Sequence, residues 1–252
     1  MKVRNPKTRS DLDIKNGYKV LEVGGGHDPH PRSNVVVDKY PGDLNRHRCG
    51  DLKLYAHQKF IEADGEALPF EDKSFDYSIC SHVLEHVSHP DRFLGEQTRV
   101  SKMGYMETPS LIGEYIMPKQ SHKWLVLEID NKLVLYDKSL IEFKSPLNFG
   151  YLFLDFLPKH SIGYKILQRT QPNLTTINYE WKDNIDYLIN PEDQYFLDFF
   201  IKPWEKNICD KMIIQHSLGK EALNAFLAFA DICKSVFKSK VLKKVRITHL
   251  PD

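Results

Sequence analysis

A short β-favouring run, Tyr18-Lys19-Val20-Leu21-Glu22-Val23, stops at three consecutive glycines, Gly24, Gly25 and Gly26. The run favours a strand. The glycines that follow leave bare backbone, with no Cβ to hold a neighbour away. Such a junction is either a tight turn or a place where a ligand lies against the main chain, and glycines alone do not decide which.

The pattern around this junction restricts the fold. Val35-Val36-Val37 ends in Asp38, Lys59 to Ala63 ends in Asp64-Gly65, and Phe75 to Cys80 leads into Ser81-His82. Pro90 suits the first turn of a helix, and Asp91 suits its positive end, so a helix is expected over Arg92–Val100. A fifth strand, Gly104–Thr108, is stopped by Pro109. Strands alternating with turns and a helix predict an α/β fold, a Rossmann-like parallel sheet flanked by helices. Only eleven residues separate Gly26 from Asp38, and Pro29 and Pro31 are among them. The first crossover helix is therefore expected to be shortened, or replaced by a loop that closes over a ligand.

Beyond residue 110 the patterns change. Trp124–Ile129, Asp130-Asn131 and Lys132–Tyr136 read as a hairpin, either the last antiparallel pair of the main sheet or an insertion beside the substrate. Tyr164–Leu167 and Thr175–Trp181 read as strands. Asn190-Pro191-Glu192-Asp193 reads as a helix start, with Asn190 as cap and an end near Pro203. Residues 220–245 read as one or two amphipathic helices. The expected organisation is a polar leader over 1–17, a ligand-binding core over 18–137 and a mixed α+β, partly helical extension over 138–252 that serves the substrate or an interaction.

Composition excludes several classes. A net charge of +1 gives no general attraction to nucleic acid. No apolar stretch is long enough for a membrane helix, and the polar N-terminus does not read as a secretory signal. A cytoplasmic location is expected. Cys49, Cys80, Cys209 and Cys233 form no CxxC pair, so free thiols are expected. Lys234, Lys238, Lys240, Lys243, Lys244 and Arg246 make a basic end. They read as a solvated helix face, a clamp for an anionic substrate, or a peripheral contact with an anionic membrane surface.

An acid ending the second strand of such a fold can accept hydrogen bonds from a ribose diol, and Asp38 stands there; a turn or helix cap is the alternative. The run Ile61–Val87, with Asp64, Leu68-Pro69-Phe70, Ser74-Phe75-Asp76 and His82-Val83-Leu84-Glu85-His86-Val87, closely resembles the small-molecule methyltransferases of the class I S-adenosylmethionine (SAM)-dependent superfamily. With Glu22–Gly26 and Asp38 in the same order, the resemblance covers about 90 residues. It implies SAM as cofactor. It also implies a cofactor site made of Glu22, Gly24, Gly25, Gly26, Asp38, Asp64, Gly65, Ser81 and His82. Gly24–Gly26 would pass the methionine part, Asp38 would take the ribose, Asp64 and Gly65 would face the adenine, and Ser81 and His82 would stand near the sulfonium. A missing first helix suits SAM better than NAD, whose pyrophosphate sits on such a helix.

Methyl transfer to a hydroxyl also requires loss of a proton. His82 is the first candidate base, and a cleft-lining or capping role is its alternative. His122 is brought in by the segment after the fifth strand or stays on a surface loop. Glu107, at the end of the fifth strand, is a candidate substrate contact. His82 and His86, four apart, look like a metal pair, but spacing supplies no third ligand and no metal is expected. A fainter resemblance, to methyltransferases of bacterial surface-polysaccharide pathways, rests on Arg99-Val100, Gly104–Ser110 and His122-Lys123-Trp124. It implies O-methylation of a small-molecule or carbohydrate acceptor. The alternatives are N-methylation of a small amine and a catalytically inactive SAM-fold binding partner. A nucleic-acid acceptor is not expected, because Ser81-His82-Val83-Leu84 stands where an Asn/Asp-Pro-Pro-aromatic site would be.

Overall fold

The computed structural model describes residues 1–26, 28–40, 53–241 and 248–249. Its strands are β1 (Lys2–Arg4), β2 (Val20–Val23), β3 (Val35–Asp38), β4 (Lys53–Leu54), β5 (Lys59–Glu62), β6 (Phe75–Ser81), β7 (Ser101–Pro109), β8 (Trp124–Ile129), β9 (Lys132–Asp137), β10 (Thr176–Lys182), β11 (Tyr187–Ile189) and β12 (Thr248–His249). The helices are α1 (Pro90–Val100), α2 (Leu111–Ile116), α3 (Leu157–His160), α4 (Ile162–Thr170), α5 (Gln194–Ile201), α6 (Lys206–Met212) and α7 (Leu218–Val241).

A seven-stranded sheet in the order β1-β10-β7-β6-β2-β3-β5 is the frame. β5, β3, β2, β6 and β7 run parallel. All four side chains of β2 are buried, as a strand covered on both faces requires. Among the parallel strands chain order proceeds outward from β2 in both directions, so β2 and β6 flank the point where the winding reverses. In such sheets the ligand crevice lies outside the carboxyl ends of these strands. Helix α1 covers the sheet with Phe93, Leu94, Gln97 and Val100. The turn that leads into it is fixed by the Glu66 carboxylate, which accepts hydrogen bonds from the amides of Ser88 (2.7 Å) and His89 (3.1 Å).

As the prolines predict, no helix joins β2 to β3 among the described residues. The segment is held instead by the buried Glu22 carboxylate, which accepts from the His30 amide (2.8 Å) and the Ser33 hydroxyl (2.6 Å) and pairs with Arg9. The sheet also draws on residues outside 18–137. β10 runs antiparallel to β7, and β1, from the polar N-terminal stretch, pairs with β10 at the edge.

Three elements differ from expectation. Tyr164–Leu167, expected to be a strand, lies in α4: the Ser161 hydroxyl caps the helix at the Tyr164 amide (3.1 Å), and packing against α7 overrides local β propensity. The helix expected to start at Asn190 starts after Asp193, whose carboxylate accepts from the Tyr195 amide at 2.9 Å, while the Asn190 side chain accepts from the Asp137 amide at 2.8 Å. The 124–136 hairpin forms, with Asp130 and Asn131 both at positive φ, but it joins β11 in a separate three-stranded sheet.

The single helix α7 stands where one or two were expected. Cys80, Cys209 and Cys233 are free thiols, and Cys49 lies outside the described residues. Of the basic residues near the end of the chain, only Lys234 has a described side chain. Among the described residues no helix is long and apolar enough to cross a membrane.

Candidate active site

A cavity of about 440 Å³ opens at the carboxyl ends of the central strands. Val23 and Gly24 line it from the end of β2, Asp38 from β3, Asp64 and Gly65 from the turn after β5, and His82, Val83 and His86 from the turn after β6. Gln120, Ser121 and Lys123, from the segment before β8, form the remaining wall. A space of this size suits a nucleoside-sized ligand.

The glycines act in different ways. Gly24 has φ +75°, and a Cβ there would meet Val83 Cγ2 at 2.2 Å. A Cβ on Gly65 would meet the Phe93 ring at 2.5 Å. These two glycines line the cavity, and they also let the loop backbone pack against the turn after β6 and against α1. Gly25, Gly26, Glu22 and Ser81 are not among the lining residues. Glu22 is occupied behind the glycine turn by Arg9, His30 and Ser33, and burial pushes its carboxyl pKa up against their pull. Its position gives it a role in holding the loop. The Ser81 hydroxyl is buried with no hydrogen-bond partner among the described residues.

Asp38 lies on the cavity wall, and its Oδ1 accepts from the Tyr40 amide at 2.9 Å. Asp64 accepts from the Glu66 amide (3.0 Å) and pairs with Lys39 at 2.5 Å. Burial works against its ionisation, but these partners hold its pKa below the usual carboxylate range.

His82 occupies the left-handed region with φ 57°, and its amide donates to the Glu107 carbonyl at 2.8 Å. This conformation holds its ring between two carboxylates: Nδ1 lies 3.3 Å from Glu85 Oε1, and Nε2 lies 3.1 Å from Glu107 Oε1. Desolvation pulls the His82 pKa down, yet Glu107 and Glu85 together push it up to about 10. The two acids thus favour the protonated ring, where a base poised near neutrality was expected. Burial alone would push the Glu107 pKa up. His82 and the Tyr105 hydroxyl, 2.6 Å away, hold it below the usual range.

Glu107 does not line the first cavity. It lines a second one of about 270 Å³, walled by Lys7, Arg9, Gln168, Arg169, Gln171 and Asn178 among others. The His82–Glu107 pair therefore stands between the two spaces. His122, which was expected to reach the cleft or remain on the surface, does neither. It is buried behind the wall with its ring centroid 4.7 Å from that of His86.

Sequence reasoning missed the wall of Gln120, Ser121 and Lys123, which carries no local pattern. Its placement comes from two hydrogen bonds to the turn after β6: the Lys123 amide donates to the Glu85 carbonyl at 2.7 Å, and the Trp124 indole donates to the Val87 carbonyl at 2.9 Å. Phe93 was also missed. Its signal is its place on the apolar face of α1.

An open, mostly parallel α/β sheet with a nucleoside-sized cleft at its winding reversal is the frame of the Rossmann-like nucleotide-binding proteins. Residues 33–105 match the family described as Methyltransferase domain. Over 99 residues the chain is 36% identical to a demethylmenaquinone methyltransferase of Paenarthrobacter aurescens (strain TC1), covering 37% of this chain and 38% of that protein. Over 125 residues it is 30% identical to a ubiquinone/menaquinone biosynthesis C-methyltransferase of Xylella fastidiosa (strain 9a5c), covering 42% of this chain and 48% of that protein. The chain thus spans less than half the length of these curated relatives. A solved structure from Pyrococcus horikoshii OT3 is 22% identical, with a TM-score of 0.32, over 47% of this chain and 65% of that one. The likeness to a methyltransferase domain covers part of the chain, and it supports SAM as the cofactor.

Proposed function

We propose that this protein transfers a methyl group from SAM to a hydroxyl of a small-molecule or glycan-type acceptor. The observation that carries the reading is the His82–Glu107 contact at 3.1 Å, with one partner on the wall of each cavity. SAM fits the first cavity chemically. Asp38 is a strand-end carboxylate suited to a vicinal diol, and Gly24 and Gly65 keep Cβ atoms off the wall. The orphaned Ser81 hydroxyl lies at the end of β6, beside His82.

SAM supplies a carbon already activated by its sulfonium. The protein must align the acceptor, exclude water and receive a proton. In the second cavity, Lys7 and Gln168 offer hydrogen bonds to a hydroxylated acceptor. Glu107, facing that cavity, takes the acceptor's proton at a carboxylate oxygen. His82, cationic between Glu85 and Glu107, positions Glu107 and keeps uncompensated negative charge from accumulating in the wall.

C-methylation is the second reading, favoured by the name of the Xylella relative. One experiment separates the two. The protein is incubated with SAM and a panel of hydroxylated sugars, phenols and quinols, and S-adenosylhomocysteine and the methylated product are analysed by mass spectrometry. A methyl ether supports the proposal, a new carbon–carbon bond supports the second reading, and S-adenosylhomocysteine binding without turnover on any acceptor points to an inactive SAM-fold protein.

A further inference from the structure

We propose that Glu85, His86 and His122 form a site for a divalent transition-metal ion, with zinc the best match. Each residue offers one ligand atom, and these atoms lie within 4.8 Å of one another. Two imidazoles and one carboxylate are a donor set that zinc accepts, with bonds of about 2.0–2.2 Å that place ligand atoms roughly 3.5 Å apart. Closing the site around an ion therefore needs a contraction of about 1 Å, within reach of side-chain rotation.

His122 points to an ion most directly. Its side chain is 2% exposed, and its Nε2 has no hydrogen-bond partner among the described residues. The nearest anionic atom to that nitrogen is Glu85 Oε1 at 3.9 Å, too long for a hydrogen bond. The opposite nitrogen, Nδ1, lies 2.5 Å from Glu114 Oε2. A cation seated between His122 Nε2 and Glu85 would give that nitrogen its missing partner.

The surroundings are those of ligands held for a metal. Glu114 is buried and fixed by Lys138 and by the Lys119 amide, which makes His122 part of a carboxylate–histidine pair of the kind that orients metal ligands. The Ser121 carbonyl lies 3.0 Å from His86 Nδ1, and the Thr108 hydroxyl donates to Glu85 Oε2 at 3.0 Å. Every proposed ligand thus has an outer partner. Spacing could not have revealed the set, because Glu85-His86 and His122 meet only through the docking of residues 119–124 onto the turn after β6.

Three protein ligands leave a fourth position, the arrangement of metal sites that take a water or substrate oxygen. Glu85 and His122 are buried, whereas His86 lines the first cavity. A water entering from that cavity is the fourth ligand we assign, and no part of the site rests on the methyltransferase reading above.

The test uses the full chain, stripped with a chelator and titrated with zinc against a chromophoric competitor, with cobalt(II) absorption as a second readout. One equivalent should bind. His86→Gln, at a half-buried position where folding is easily preserved, and His122→Gln should each weaken binding more than tenfold and change the cobalt spectrum. Glu114→Gln should weaken it by about 10- to 100-fold while leaving the three ligands in place. Binding of far less than one equivalent, or equal affinity in wild type and all three variants, overturns the site. Calorimetry with S-adenosylhomocysteine on the same metal-free protein separates the two readings. Cofactor binding without zinc binding removes only the metal site, and zinc binding without cofactor binding removes only the methyltransferase reading.

Discussion

Nε2 of His82 lies 3.1 Å from Oε1 of Glu107, and this one contact separates the wall of the larger cavity from that of the smaller. Glu107 lines the smaller cavity, while Glu107 and Glu85 push the His82 pKa up to about 10.

Glu107→Gln therefore should lower the turnover number by about 100- to 10,000-fold, the usual worth of a positioned base. Affinity for S-adenosylhomocysteine should change by less than about threefold, because Glu107 does not line the first cavity. His82→Gln should cost less turnover than Glu107→Gln. Steady-state kinetics on both variants checks the order, and a larger loss in His82→Gln would return the base role to the histidine.

Gly24 should resist substitution for reasons of shape. An alanine there must adopt φ near +75° and pushes its Cβ into Val83. Together these should destabilise the protein by about 2–4 kcal/mol, combining left-handed strain with overpacking. Urea unfolding measures this. Val83→Ala in the same chain should relieve the steric part, so the double variant should be less destabilised than the sum of the single variants. Strict additivity would show that the Val83 contact is not the cause.

His30 should give the protein an acid-sensitive stability. Burial, then the charge of Arg9, pulls its pKa down from 6.5 to about 4. Between these values the unfolded chain binds a proton that the folded chain refuses. The site's contribution is fully present above pH 6.5 and is lost as the pH falls toward 4. His30→Gln should flatten the fall of melting temperature over that interval. An unchanged slope would contradict the assignment.

Some of this was legible in the sequence. Asp38, Asp64, Gly65 and His82 reach the cavity wall because each stands at or just past the end of a strand within one contiguous pattern, and strand ends are where this architecture opens its crevice. Glu22 lies behind the glycine turn and pins a helixless crossover, and this placement was not legible because its partner Arg9 lies in a segment with no pattern. β1 escaped notice since three residues at a polar sheet edge carry no periodicity. The meeting of His86 and His122 is a tertiary fact: the hydrogen bonds of Lys123 and Trp124 to the turn after β6 create it, and neither leaves a trace in local spacing.

The central claim is a SAM site whose ribose is taken by Asp38. Isothermal titration of the full chain with S-adenosylhomocysteine tests it most directly. Wild-type protein should bind one equivalent, and Asp38→Ala should bind more weakly by about 1–3 kcal/mol, the cost of leaving hydroxyls without their charged acceptor. NAD should not compete. Tight NAD binding in the absence of S-adenosylhomocysteine binding, or an Asp38→Ala variant with wild-type affinity, would contradict it.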